Sequence, residues 1–205
     1  EENKAMFVKI EPWCGQDVQL LKDKGYVVSY APLSVPSTIY IDLTKSGEEL
    51  WNNISHSGKY SIHRAQREGA RVEFYQKPDD SLLMKHHELC RQTGKRKHFY
   101  VQPYKEYAIK RDLYGDESYL AFVYDGNGVL NSGKFCLGYN GTVTYLSGGS
   151  TAESTKNKTG YELLWKSILY FKSKGYRIFD LEGKDDPRFP VFTKDWGGFT
   201  YFKEK

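Results

Sequence analysis

His86, His87 and Cys90 are the densest group of side chains able to bind a metal or move a proton. Only the i, i+4 pair His86 and Cys90 shares a helix face, and no second ligand pair of suitable spacing follows, so no metal centre is expected. His86 also lies on an apolar face with Leu82 and Leu89, which fits a hydrogen-bonded core histidine. Cys14, Cys90 and Cys136 each lack an identifiable base partner and read as small buried hydrophobes. Asp180 and Glu182 alternate at a strand end, where they form a candidate acid–base pair. The chain has no G-x-S-x-G elbow, no Walker A motif and no G-x-G-x-x-G after a strand. Gly126 and Gly128 belong to a hairpin turn. No cofactor is expected.

Positive charge is the second chemical signal. Residues 56–111 hold thirteen Lys and Arg against six Asp and Glu, a net +7, while the other 149 residues are net −3. A concentrated basic region suits a polyanion such as RNA or a diphosphate. Its two subclusters are Lys59–Arg71, with Arg64 and Arg67, and Arg91–His98.

The elements that must position these groups follow from periodicity and punctuation. Strands are expected at 5–10, 26–30, 38–43, 71–75, 119–124, 129–137, 142–146, 177–181 and 199–202. Helices are expected at 17–24 (stopped by Gly25), 47–54 (Ser46 and Glu49 as a capping box), 59–68, from Asp79 or Asp80 to 92, 103–113, and from a Thr159 cap to Lys174. Asp125-Gly126-Asn127-Gly128 and Asn140-Gly141 mark two hairpins, so residues 119–146 read as three antiparallel strands. Residues 147–160 read as a polar loop. Helices, then a meander, then a helix and a strand indicate an α+β fold with a mixed sheet.

Composition excludes several classes. The chain has 205 residues, 39% hydrophobic and 27% charged, with 30 Lys and Arg against 26 Asp and Glu for a net +4. That is enough apolar content for a packed core. No run of 18 apolar residues occurs, so no transmembrane segment is expected. Residues 1–10 lack a signal-peptide pattern, and three widely spaced cysteines suit a reducing, cytoplasmic setting. Aromatic residues reach 16%, with 17 Tyr, side chains that suit the walls of polar clefts.

Several segments in order resemble one family. Arg64-Ala65 with Arg67-Glu68-Gly69, followed by a strand, is similar to the RxAxxxGV stretch of the Fem (FemABX) peptidoglycan bridge-forming aminoacyltransferases. Thr93, Arg96 and Phe99 match TxxRxxF. Tyr145–Ser150 (YLSGGS) resembles the family's Tyr-x-x-Gly-Gly-Ser strand end. Residues 175–183 (GYRIFDLEG) resemble GxxxFDLxG, and residues 192–198 (FTKDWGG) resemble the closing FKxxFGG. The resemblance covers about residues 40–200.

The resemblance implies a lobe of the GNAT-like (acyl-CoA N-acyltransferase) kind, α+β with a central, mixed but largely antiparallel sheet flanked by helices. It implies that residues 46–205 are a complete second lobe and residues 1–45 the end of a first. It also implies transfer of an aminoacyl group from aminoacyl-tRNA to the stem-peptide amine of a peptidoglycan precursor, lipid II or UDP-MurNAc-pentapeptide, with peripheral membrane contact. An activated ester donor needs no covalent nucleophile. The attacking amine must lose a proton, and the oxyanion must be stabilised. By the same resemblance Arg96, Tyr100 and Tyr145 bind the precursor, and Lys59, Arg64 and Arg67 contact tRNA. The closing motif places Phe192, Thr193 and Lys194 at the reacting centre, with Thr193 where the family has its lysine and Lys194 one position later.

Two other functions fit the same residues. One is an acyl-CoA N-acyltransferase, although the stretch STKNKTGYE keeps only Gly160 of the usual pyrophosphate loop. The other is a non-catalytic module that binds precursor or RNA.

Overall fold

The computed structural model describes residues 6–12 and 15–205. Local chemistry sets most element boundaries. Helix α1 (Gln19–Asp23) stops before Gly25, whose φ of +80° suits glycine. After strand β1 (Tyr40–Asp42), α2 (Gly47–Asn52) starts with the expected capping box: Glu49 N donates to Ser46 Oγ at 3.1 Å, and Ser46 N donates to Glu49 Oε2 at 2.8 Å. Helix α3 (His56–Arg67) is capped by Ser55, and strand β2 (Arg71–Gln76) follows. Helix α4 (Asp80–Lys97) is capped by Asp79, which accepts from Leu82 N at 2.8 Å. Next come α5 (Tyr104–Tyr114), β3 (Ser118–Tyr124), β4 (Leu130–Tyr139) and β5 (Thr142–Ser150). The chain closes with α6 (Ala152–Asn157), α7 (Thr159–Ser173), β6 (Ile178–Asp180) and α8 (Gly197–Lys203).

The six strands form one sheet in the order β1-β6-β5-β4-β3-β2. Every neighbouring pair is antiparallel except β5 with β6. The architecture is therefore mixed α+β with a largely antiparallel sheet, as expected. Both hairpins form where the turn residues placed them. Asp125 Oδ1 accepts from Asn127 N and Val129 N, and Asn140 and Gly141 both take positive φ, as a two-residue hairpin turn requires.

Helices cover both faces. On one, α4 and α5 bury Leu83, Tyr107, Leu120, Phe122, Phe135 and Leu137. On the other, α3 and α7 pack Ile62, Leu164, Trp165, Ile168 and Phe171 against Tyr119, Cys136, Val143 and Phe179. Strand β3 is buried on both sides, so its run YLAFV is continuously apolar instead of alternating.

Several sequence expectations are corrected. Residues 6–10 and 26–30 form no strand; β-branched and aromatic content makes a strand only where a neighbouring strand accepts it. Residue 5 and Cys14 lie outside the described residues. Helix α4 runs to Lys97, past the expected end at 92, because Gly94 lies in close contact with Phe99 and Val101 and the helix stops only at left-handed His98. The expected loop at 147–160 is the end of β5 plus α6. Thr159 is the first residue of α7 and not its cap; its hydroxyl donates to Ser154 Oγ at 3.0 Å. Residues 199–202 are helical, with Phe202 packed on Tyr161 at a ring separation of 4.7 Å.

Gly149 sets the approach of α4 to the sheet, since a Cβ there would stand 2.6 Å from backbone atoms of Leu89 and Cys90. Gly149→Ala should therefore lower unfolding stability by about 1–3 kcal/mol, read by urea denaturation. Gly197→Ala, which meets open space, should leave stability unchanged or raise it by up to about 1 kcal/mol.

Candidate functional site

The site begins where two strands part. Strands β5 and β6 pair in parallel only through Thr142–Thr144 and Ile178–Asp180. Beyond Thr144, β5 continues to Ser150 beside β4 alone. A bulge accompanies the departure: Cys136 pairs with Tyr145 and Phe135 with Ser147, which leaves Leu146 as the extra residue. The freed edge opens into a cleft of about 300 Å³ lined by Cys90, Phe99–Gln102, Tyr107, Leu146–Gly148 and Glu182.

Helix α4 holds the far end of β5 in place. Thr93 Oγ1 accepts from Ser150 N at 2.8 Å and lies within hydrogen-bond reach of Ser150 O at 2.9 Å and Leu89 O at 2.8 Å. Arg96 Nη2 donates to Ser150 O at 2.6 Å. Behind the cleft wall His86 Nε2 is 3.1 Å from Ser147 Oγ and 3.3 Å from Cys90 Sγ. Burial pushes His86 from its ordinary 6.5 down to about 3, so the ring is neutral; the like charge of His87 acts in the same direction. Burial also pushes the Cys90 thiol up to about 12. The cluster is thus a neutral support and offers neither thiolate nor imidazolium. His86 is the hydrogen-bonded core histidine that its place on the apolar face indicated. Among the described residues no His, Cys, Asp and Glu side chains assemble as a metal site.

Asp180 and Glu182 have different surroundings. Asp180 accepts from the Thr38 hydroxyl and from Glu182 N at 2.7 Å. Glu182 adopts a φ of +52° and lines the cleft, and burial, reinforced by Asp180, raises its carboxyl. On the sheet face shared with α7 and α8, Lys134 is 3% exposed, and its Nζ stands 3.6 Å from the centroid of the Tyr145 ring. Lys203 Nζ donates to Glu182 O at 2.6 Å and to Gly183 O at 2.8 Å. Sequence reasoning missed both lysines. The available signal for Lys134 was a charged residue at an inward position of β4, two residues from buried Cys136.

The residues singled out from sequence fall into three places. Arg96, Tyr100 and Tyr145 surround the cleft: Arg96 on Ser150, Tyr100 at the mouth with 80% exposure, and Tyr145 with its hydroxyl against Gly148. Phe192, Thr193 and Lys194 lie in the turn before α8. Thr193 is buried and binds Asp185 Oδ1 at 2.9 Å, while Phe192 packs on Trp196 and Lys194 points to solvent. Trp196 in turn lies against Gly183, beside Glu182 on the far lip of the cleft.

Lys59, Arg64 and Arg67 sit on α3, on the face of the sheet opposite Arg96. The +7 segment therefore wraps the β2 edge and does not form one surface. Arg64 pairs with Glu68 at 2.7 Å, Lys59 donates to Asn52 O at 3.3 Å, and Arg67 is exposed.

A model of the FemAB family matches residues 21–124, half of the sequence and a stretch that carries α3, α4 and the Arg96–Gln102 wall. The chain belongs to the FemAB family. The crystal structure of FemX superposes on this FemAB-family chain with a TM-score of 0.72 at 16% identity, covering 91% of this chain and 64% of that one. The FemAB-family chain thus spans less than two thirds of the length of FemX. The C-terminal domain of a protein from Agrobacterium fabrum, described as a putative lysylphosphatidylglycerol synthetase, superposes with a TM-score of 0.57 at 12% identity, over 78% of this chain and 52% of that one. These likenesses show a shared fold. No curated protein sequence matches. No helix among the described residues is long and apolar enough to cross a membrane.

Neutral His86 makes stability pH-dependent. Its folded pKa lies below its unfolded value, so the unfolded chain binds the extra proton as pH falls from about 6.5 to 3. Stability should drop over that window by up to about 1.4 kcal/mol per pH unit from this group. Urea midpoints of wild type and His86→Leu between pH 3 and 7 should show a shallower slope in the variant.

Proposed function

We propose that this chain carries the transfer site of an aminoacyltransferase that moves an amino acid from aminoacyl-tRNA to the stem-peptide amine of a peptidoglycan precursor. The cleft at the freed end of β5 carries this reading. It lies beside the Arg96–Gln102 wall within the FemAB-matching segment, and the groups behind it are neutral. Neutral His86 and Cys90 suit direct attack of an amine on an ester that is already activated, because that reaction needs no covalent enzyme intermediate. Membership in the FemAB family supports the substrate classes.

The roles follow the geometry. Arg96 uses one donor on Ser150 and keeps others for a phosphate of the precursor, with Tyr100 beside it as a hydroxyl donor. Tyr145 positions substrate from beneath Gly148. Phe192, Thr193 and Lys194 build the far lip: Thr193 ties the 185–193 loop together, and Lys194 presents a solvent-facing cation. Lys59, Arg64 and Arg67 meet the phosphates of tRNA on the opposite side of the sheet. We read residues 46–205 as a complete lobe and residues 1–45 as the end of a preceding one, acting at the cytoplasmic side of the membrane.

The test uses the full chain with tRNA charged with Gly, Ala or Ser and with UDP-MurNAc-pentapeptide, and follows the mass of the peptide product. Formation of an extended stem peptide is expected. No transfer from any of the three overturns the reading, and turnover of acetyl-CoA in its place supports an acyl-CoA enzyme. Arg96→Ala should weaken binding of the nucleotide precursor at least tenfold, about 1.4 kcal/mol, in calorimetry. An unchanged Kd would remove Arg96 from the site.

A further inference from the structure

Lys134 is the least economical residue of the sheet. It sits mid-strand on β4, on the core-facing side between Ser132 and Cys136, and is 3% exposed. Placing an ammonium there is costly unless hydrogen bonds or a counter-charge compensate. Among the described residues none does: no hydrogen bond or ion pair to Lys134 Nζ is formed, and its contacts are the faces of Tyr145 at 3.6 Å and Phe202 at 5.5 Å. An aliphatic side chain would fill this position at lower cost.

The position is also special within the site. The strand register sets Lys134 opposite Gly148, one of the residues lining the cleft. Gly148 has no side chain, and the Tyr145 hydroxyl occupies the space a Cβ would need. On the other lip, Glu182 and Gly183 are bound through their carbonyls by Lys203. Lys134 thus lies beneath the β5 lip of the gap, under Gly148 and against the Tyr145 ring. Burial, aided by the positive charge of Lys203, brings its amine down to about 7, while Cys136 acts in the opposite direction. The titratable groups that act on it are Cys136 on β4 and Lys203 on α8, and the rings of Tyr145 on β5 and Phe202 on α8 face it. Glu162 of α7 is turned away to Gln66 and Lys166.

We propose that the Lys134 amine is the base that takes the proton from the amine attacking in the β5–β6 gap. The inference rests on the acyl-transfer reading above. As the new N–C bond forms, neutral Lys134 accepts one proton from the attacking nitrogen. The ester C–O bond of the donor then breaks, and Lys134 returns that proton to the departing ribose oxygen. It ends neutral, as it began. The role calls for an amine that is neutral near pH 7, which a solvated lysine is not.

Lys134→Met keeps the bulk and removes the base, and Lys134→Arg keeps a cation that cannot accept a proton. In the charged-tRNA assay both should lose about 10²–10⁴-fold in kcat, with KM for the UDP-linked precursor nearly unchanged. The wild-type rise in kcat through pH 7 should vanish in both. The Lys134→Met variant should melt no lower than wild type, because a buried amine has been removed; a lower melting point would make Lys134 structural and overturn the proposal. So would full activity with an unchanged pH profile in Lys134→Met. Should wild type transfer nothing, the acyl-transfer reading fails by itself, and competitive labelling with acetic anhydride still reads the amine. Lys134 should reach half-maximal reactivity near pH 7, well below the surface lysines; no labelling between pH 6 and 9, or titration alongside them, overturns the assignment.

Discussion

Three residues of β5 pair with three of β6, and then the strands separate. A parallel pair is held by backbone hydrogen bonds that continue only while both strands keep the same course. The bulge at Leu146 bends β5 away, and Glu182, with its positive φ, turns the chain out of β6. Each half of that parting has its own anchor. Thr93 and Arg96 hold Ser150 to α4, and Lys203 holds the carbonyls of Glu182 and Gly183 to α8. The cleft is thus a gap opened within one continuous sheet that helices cover on both faces. The surrounding core is rigid, so the gap needs no ligand to keep it open.

The cleft lining is mostly uncharged. Burial raises the Cys90 thiol and the Tyr107 phenol in the lining and lowers His86 behind it, so all three are held in their neutral forms. The charged chemistry lies at the rim, with Arg96, and beneath the floor, with Lys134 and Lys203. Under the proposed transfer, this division puts charge where polyanionic substrates would be held and leaves no buried nucleophile to ionise.

Features with local causes were readable from sequence. Ser46 with Glu49, Asp125-Gly126-Asn127-Gly128 and Asn140-Gly141 each fix their own backbone within a few residues, and each forms as expected. Features that depend on distant partners were not. Residues 26–30 have the composition of a strand but no strand to join. Residues 199–202 were expected as a strand, but Phe199 and Phe202, three apart, share a helix face instead, packed on Lys203 and Tyr161. The basic segment reads as one cluster along the chain, yet the β2 edge separates α3 from α4. At the cleft, Arg96, Tyr100 and Tyr145 were singled out from sequence because they lie in or beside recognisable motifs. Lys134 was not: its inward place two residues from Cys136 could be read, but its position beneath the gap comes from a strand register and a bulge.

The 99–102 wall is fastened at both ends. Gly94 allows Phe99 and Val101 to pack directly on α4, and His87 Nε2 lies 2.9 Å from Gln102 O. With Gly149 pressed on α4 behind it, this segment is a fixed fence and not a swinging lid. A fixed fence selects by size: each methylene too many is worth about 1–3 kcal/mol against entry when the wall does not yield. The order of small residues along α4 and β5 is then also a gauge, setting how large a ligand the cleft admits.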